Sequence, residues 1–275
     1  MIFHVYEGEI IKGTFSLKNY LVKRFARIFP LHFIMLLPFL AVALAGDNPI
    51  EGLFASVFLL HSWALTDGLV LNGPSWTISA EMFAYLLFGI TVFRSPPSWV
   101  LAVAFIITAL AAHAVAIELG KTGFIHLTWD YGAIRIIPLF ILGMLLRRCA
   151  SFISSGGAMM AGVLGFALFA VFASRSDAGY EILIPFVLLV LSFSRLSDWG
   201  ALPTNHRLLV YLGEISYSIY MIHIFAVNIW FDYLPKFGLE PLHWQILCVA
   251  VVLGSAVSYR FVELPARLWI SRSIK

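Results

Sequence analysis

What most constrains this chain is the recurrence of long apolar stretches along its whole 275 residues. They run at 29–45, 77–93, 99–117, 133–146, 157–173, 180–194, 208–231 and 244–262. An α-helix rises about 1.5 Å per residue and the hydrocarbon core is about 30 Å thick, so roughly 20 apolar residues make one crossing. A soluble core has no use for so many such runs. Composition agrees, with 61% hydrophobic and only 12% charged residues, about half the charge of an ordinary soluble domain. The expected fold is all-α: a polytopic transmembrane helix bundle of about eight spans, one membrane domain over residues 1–275. The stretches 133–146 and 180–194 are short, and cross only if their ends extend or flanking side chains reach the interface. The stretch 52–65, with His61 and Trp63, is shorter still and reads as re-entrant or interfacial. Backbone at that depth has to be buried in protein or line water.

Charge placement orients the bundle. With the N-terminal segment in the cytoplasm, the inner side receives Lys12, Lys18, Lys23, Arg24, Arg27, Arg94, Arg147, Arg148, Arg195, Arg207, Arg267, Arg272 and Lys275. The outer side receives only Lys121, Arg135, Arg175 and Lys236. That is the bias of the positive-inside rule. A full crossing at 52–65 would invert every later loop and turn Arg147-Arg148 outward. The expectation is an integral inner-membrane protein with both termini cytoplasmic. Cys149 and Cys248 lack metal-ligand spacing and are read as small packed hydrophobes. No metal, permanent cofactor or nucleic-acid partner is expected. Pro96-Pro97 marks an inner turn, and Pro30 is placed near the start of its helix, where proline is tolerated.

Four polar groupings interrupt the apolar pattern. Arg24 and Arg27, in Lys23-Arg24-Phe25-Ala26-Arg27-Ile28-Phe29-Pro30, share one helix face. At the inner surface they serve either as a topology anchor or as two forks for a polyphosphate, since guanidinium binds phosphate oxygens in pairs. In Pro74-Ser75-Trp76-Thr77-Ile78-Ser79-Ala80-Glu81, the carboxyl of Glu81 lies about one turn inside an apolar helix, with Thr77 and Tyr85 on its face. A carboxylate facing lipid costs a few kcal/mol, so it faces protein, as a site residue or as a partner of Arg135. In Leu212-Gly213-Glu214-Ile215-Ser216-Tyr217-Ser218-Ile219-Tyr220-Met221-Ile222-His223, the residues Ser216, Tyr220 and His223 follow one stripe. His223 is either a base or a histidine bonded to a neighbour. Glu263, in Phe261-Val262-Glu263-Leu264-Pro265, is read as a brace for the inner mouth, paired with Arg24, Arg27 or Arg267. By depth, Arg24, Arg27 and Glu263 belong at the inner face. Glu81 and His223, the latter roughly 12 Å from its outer end, belong in the outer half.

These four segments, in this order, resemble the acyltransferase-3 family of bacterial membrane acyltransferases. The resemblance runs from Arg24–Pro30 through Pro74–Glu81 and Leu212–His223 to Phe261–Pro265, with Arg135 to Arg148 also similar. It implies transfer of an acyl group, typically acetyl, from cytoplasmic acyl-CoA (acetyl-CoA) as co-substrate to a hydroxyl of a surface glycan, lipopolysaccharide or other carbohydrate or lipid-linked acceptor. On that reading Arg24 and Arg27 hold the CoA phosphates, and Glu81 and His223 line the transfer site. Trp76, Ser216, Tyr220 and Glu263 support it. Members commonly have more spans, the first carrying a basic residue and then a histidine proposed as the base. His4 and His32 do not fit that context, and Met1-Ile2-Phe3-His4-Val5-Tyr6 reads like the end of an apolar segment. The chain is therefore expected to lack one or two N-terminal spans of the family, and to insert poorly or be inactive alone. A multi-pass transporter, with the same polar groups lining a path, is the alternative. Topology is testable with reporter fusions. A fusion after Lys275 is expected to report cytoplasm and one within 119–130 the outer side, and the opposite result at either position overturns the eight-span arrangement.

Overall fold

The computed structural model describes residues 2–46, 52–66, 68–69, 71–91, 96–175, 179–198, 206–238 and 243–272. Arg94, Lys275 and the 92–93 end of the second apolar run lie outside them. The described residues form eleven α-helices and no strand: α1 (Ile2–Ile11), α2 (Leu17–Ala45), α3 (Leu53–Val57), α4 (Ser75–Thr91), α5 (Ser98–Glu118), α6 (Gly132–Ala150), α7 (Ser155–Ala173), α8 (Leu183–Asp198), α9 (Arg207–Asn228), α10 (Trp244–Ser258) and α11 (Leu264–Arg272). Each of the eight predicted runs coincides with a helix. Six helical stretches are long and apolar enough to cross a membrane: Leu17–Ala45, Ser98–Glu118, Ser155–Ala173, Tyr180–Ser197, Arg207–Lys236 and Trp244–Arg272. α4, with 17 residues, spans only about 25 Å, and α6 carries Arg135, Arg147 and Arg148. Of the two short runs, 180–194 gains a 3-10 turn (Tyr180–Ile182) and lies within the crossing-length stretch Tyr180–Ser197, whereas α6 continues to Ala150 but is not among the six.

The outward faces are apolar, as lipid requires. On α10, Val249, Leu253 and Val257 are exposed at steps of four, while Leu247, Val251 and Ser255 are buried at the same spacing. In water so continuous an apolar surface would demand a partner; here it is the surface that meets the acyl chains. Cys149 and Cys248 are free thiols and both exposed, so neither packs in a protein core. Their helix faces point to the surroundings.

Two compact units divide the chain, Met1–Phe15 with Ile90–Val210, and Ser16–Gly89 with Tyr211–Lys275. In the first, α5 packs on α6, α7 on α8, and α1 on α6. A side chain at Gly162 of α7 would meet Ser192 Oγ at 2.6 Å, which explains how α7 and α8 approach so closely. Arg148 caps the Pro96-Pro97 turn by donating to the Pro96 carbonyl at 2.5 Å. Between α5 and α6 the chain forms a compact cap. Ala112, Ala116, Phe124 and Leu127 pack as its core, and Phe124 N donates to Tyr180 Oη at 2.9 Å. Arg135 donates to the Ile125 carbonyl at 3.2 Å. Lys121 pairs with Asp130 at 2.5 Å, and Asp130 Oδ1 accepts the amides of Thr128 and Tyr131, each at 2.9 Å.

The second unit holds the largest departure from expectation. α2 begins at Leu17, not near residue 29, with Ser16 Oγ accepting the Asn19 amide at 3.3 Å as its cap. Pro30 is thus well inside the helix, with Pro38 beyond it. Membrane helices tolerate such prolines because neighbours re-satisfy the freed backbone groups. Lys18, Lys23, Arg24 and Arg27 end an apolar run without ending a helix. In the segment after α3, Leu59, His61, Ser62 and Asn72 have almost no exposed surface, whereas Leu65 and Leu69 are exposed. Three of its non-glycine residues, Leu59, Ala64 and Leu71, are left-handed. Its ties are polar. Ser79 Oγ donates to the Leu59 carbonyl at 2.6 Å and accepts from Ser62 Oγ at 2.9 Å, and Asn72 donates to the Met221 carbonyl at 3.3 Å.

Burial pushes the Asp130 carboxyl up, but the Lys121 ammonium and the Thr128 and Tyr131 amides outweigh it and hold the carboxyl below its ordinary value. A carboxyl depressed on folding stabilises the fold above its unfolded pKa of about 3.9, and that stability is lost as pH falls through the lower folded value. Protection of the Thr128 and Tyr131 amides from hydrogen exchange is therefore expected to weaken on acidification below about pH 4 in the wild type. In Asp130→Asn it is expected to be weaker at neutral pH and flat with pH.

Candidate functional site

Because α2 starts early, its two arginines lie seven and ten residues into the helix, about 10–15 Å from its start. They sit within the unit rather than on its rim. α4 runs alongside, and Gly89 permits the approach: a side chain there would meet Leu17 Cδ1 at 2.6 Å. Thr77, Glu81 and Tyr85 stand at steps of four on α4 and face Ser216, Tyr217 and Tyr220 of α9 across a cavity of about 370 Å³. Arg27 and Ile28 of α2 complete its wall with Ile78. Arg27 and Glu81, placed at opposite depths by the sequence, therefore line one cavity.

Each wall is fixed by hydrogen bonds and ring contacts. Tyr85 Oη donates to Glu81 Oε1. The Arg24 guanidinium lies over the Tyr85 ring at 5.4 Å and the Tyr20 ring at 5.7 Å, and Tyr20 Oη donates to the Tyr85 carbonyl at 3.2 Å. Across the cavity Tyr220 Oη donates to the Pro74 carbonyl at 2.9 Å and accepts from Thr77 Oγ1 at 2.6 Å. Tyr217 is buried and donates to the Ile28 carbonyl at 2.7 Å, which ties α9 to the turn of α2 that carries Arg27. Ser216 is exposed to the cavity, its hydroxyl on the Gly213 carbonyl at 2.8 Å.

The other expected residues lie elsewhere. His223 is not in the cavity wall: Nδ1 donates to the Tyr220 carbonyl in its own helix at 2.6 Å, and its ring lies 5.5 Å from the Tyr220 ring. Trp76 is half-buried in the first turn of α4, away from the lining. Glu263, only 1% exposed, takes a hydrogen bond from Ser218, with Arg27 and Arg267 acting on it electrostatically. It reaches Ser218 from a π turn (Tyr259–Glu263) that joins α10 to α11. Such turns re-aim a side chain and often mark functional positions.

Sequence reasoning missed a buried polar cluster beside the start of α4. His61 Nε2 donates to Ser75 Oγ at 3.1 Å, Ser75 Oγ donates to the Asn72 carbonyl at 2.7 Å, and His32 Nε2 donates to the Ser56 carbonyl at 2.9 Å. His61 and His32 were visible as lone histidines, but their partners come from other segments and no spacing rule links them. Among the described residues no group of His, Cys, Asp and Glu is suited to a metal ion.

Residues 3–260 match a family model described as an acyltransferase domain. The chain is also similar to "Exopolysaccharide production protein ExoZ" of Rhizobium meliloti (strain 1021), 28% identical over 233 residues that cover 77% of this chain and 68% of that one. No solved structure matches. Glu263 gives the sharpest structural test of this region. Ser218→Ala strips a buried carboxylate of a donor and is expected to cost about 1–3 kcal/mol, read as a lower thermal unfolding midpoint in detergent. Ser218→Thr is expected to lose less, because it keeps the hydroxyl.

Proposed function

This chain belongs to the acyltransferase-3 family, and on that premise we propose that it is a membrane O-acyltransferase moving a short acyl group, acetyl first, from acyl-CoA to a hydroxyl of a cell-surface glycan, lipopolysaccharide or similar carbohydrate or lipid-linked acceptor. It works in the bacterial inner membrane with both termini in the cytoplasm, the orientation favoured by its basic residues. The observation that carries the proposal is the joint lining of one cavity by Arg27 and Glu81, with Ser216, Thr77 and Tyr220 around them. A cation for an anionic donor, a carboxylate for a hydroxyl proton and hydroxyls to hold a sugar are what such a transfer needs. Similarity to a protein named for exopolysaccharide production supports the glycan class of acceptor.

In this mechanism Arg24 and Arg27 bind the phosphates of acyl-CoA. Glu81 takes the proton of the acceptor hydroxyl as its oxygen adds to the thioester carbonyl. The adduct collapses with cleavage of the carbon–sulfur bond, and the proton on Glu81 passes to the departing thiolate. Ester and free thiol are the products, and the carboxylate is restored. Glu81 rather than His223 has the base role because it lines the cavity, whereas His223 braces Tyr220.

The test is transfer from labelled acyl-CoA to envelope glycan in membranes carrying the chain, both alone and in an upstream-extended version. Glu81→Gln is expected to lower turnover by about 10²–10⁴-fold with acyl-CoA still bound. Arg24→Ala and Arg27→Ala are each expected to weaken acyl-CoA binding by roughly tenfold or more, the worth of a hydrogen bond to a charged group. Lysine is expected to restore little, since an ammonium lacks the paired fork. Unchanged acyl-CoA affinity in the double alanine variant would leave the arginines as a topology anchor alone.

A further inference from the structure

We propose that Tyr85 is the positioning residue that joins the donor site to the catalytic carboxylate, its ring seating Arg24 and its hydroxyl aiming Glu81; this rests on the acyl-transfer reading above. A buried tyrosine needs some partner for its hydroxyl, and a main-chain carbonyl would serve. Tyr85 is 4% exposed and gives its proton instead to a carboxylate that lines the cavity. The same side chain offers its face to Arg24 at 5.4 Å and contributes to the cavity wall itself. Its backbone is held in turn by Tyr20, whose hydroxyl reaches the Tyr85 carbonyl at 3.2 Å and whose ring forms the second face under Arg24. Two aromatic faces and one phenol thus fix both ends of a line from guanidinium to carboxylate.

The arrangement divides the labour of one residue between two kinetic constants. The hydroxyl bonds Glu81, which works in the transfer step, and also reaches Arg24, so its loss falls chiefly on kcat and in part on KM. The ring acts on Arg24, which binds donor, so its loss falls on KM for acyl-CoA. Tyr85 touches neither reacting atom in this proposal; it acts through its two partners.

Two substitutions separate the roles. Tyr85→Phe keeps the ring and removes the hydroxyl. It is expected to lower kcat roughly tenfold to a hundredfold, as loss of a hydrogen bond to a charged group does, with a smaller rise in KM for acyl-CoA than Tyr85→Leu gives, since the hydroxyl also reaches Arg24. Tyr85→Leu removes both, and is expected to add a rise in KM of roughly threefold to thirtyfold, the range of a desolvated cation–π contact. An unchanged kcat in Tyr85→Phe overturns the proposal, as does a KM that rises equally in both variants. If the wild type transfers no acyl group, the functional reading fails by itself, and ultraviolet resonance Raman spectroscopy then decides the positioning role. The Tyr85 phenol signature, isolated as wild type minus Tyr85→Phe, is expected to shift in Glu81→Gln, where a neutral amide replaces the carboxylate. No shift overturns the proposal there too.

Discussion

A guanidinium carried into a membrane bundle has to be accompanied, because the hydrocarbon around it offers neither counter-charge nor hydrogen bonds. The second unit is organised around that requirement. α2 brings Arg24 and Arg27 about two turns or more inward from its capped start, and the groups facing them are those able to accompany a cation. They are the ring faces of Tyr20 and Tyr85, the Glu81 carboxylate in the same cavity wall as Arg27, and Glu263 from the turn before α11. Each of these is itself tethered by a phenol or serine hydroxyl, so the polar interior is one connected arrangement rather than a scatter of isolated charges. Connected networks of this kind are stable only when every member is satisfied, which makes them sensitive to single substitutions.

The apolar runs were fully legible, since a helix in lipid must display apolar side chains outward along its whole length, and the helices coincide with the predicted runs. The stripe Thr77, Glu81, Tyr85 was legible for the same geometric reason, as was Ser216 with Tyr220. The start of α2 was not. Hydropathy treats a lysine or arginine as the end of a span, yet a helix carries charge wherever the facing surface receives it. The missed signal was the spacing of Tyr20, Arg24, Arg27 and Leu31, which place one face of α2 through the basic segment; Tyr20 and Leu31 are both buried on it. From that one boundary followed the separation of Arg27 from Glu81 by depth, which the cavity corrects.

Other features had no local sign at all. The bond from Ser218 to Glu263 joins residues 45 apart in sequence, and Ser218 is off the stripe that drew attention to α9. The loop before α4 turns on left-handed Leu59, Ala64 and Leu71, where turn chemistry would look for glycine or asparagine. Those conformations persist because buried serine, histidine and asparagine bonds over-determine the path. The local pattern and the final backbone disagree there, and tertiary contacts decide.

The two exposed thiols have a practical consequence. Cys149 belongs to one unit and Cys248 to the other, so the native chain already supplies one attachment point on each for a pair of spin labels or fluorophores. Their settings differ: Cys149 follows Arg147-Arg148 at the end of α6, whereas Cys248 is embedded in the apolar Ile-Leu-Cys-Val-Ala-Val-Val of α10. Water-soluble maleimides will therefore select the first and membrane-permeant reagents the second, giving orthogonal labelling without engineered cysteines.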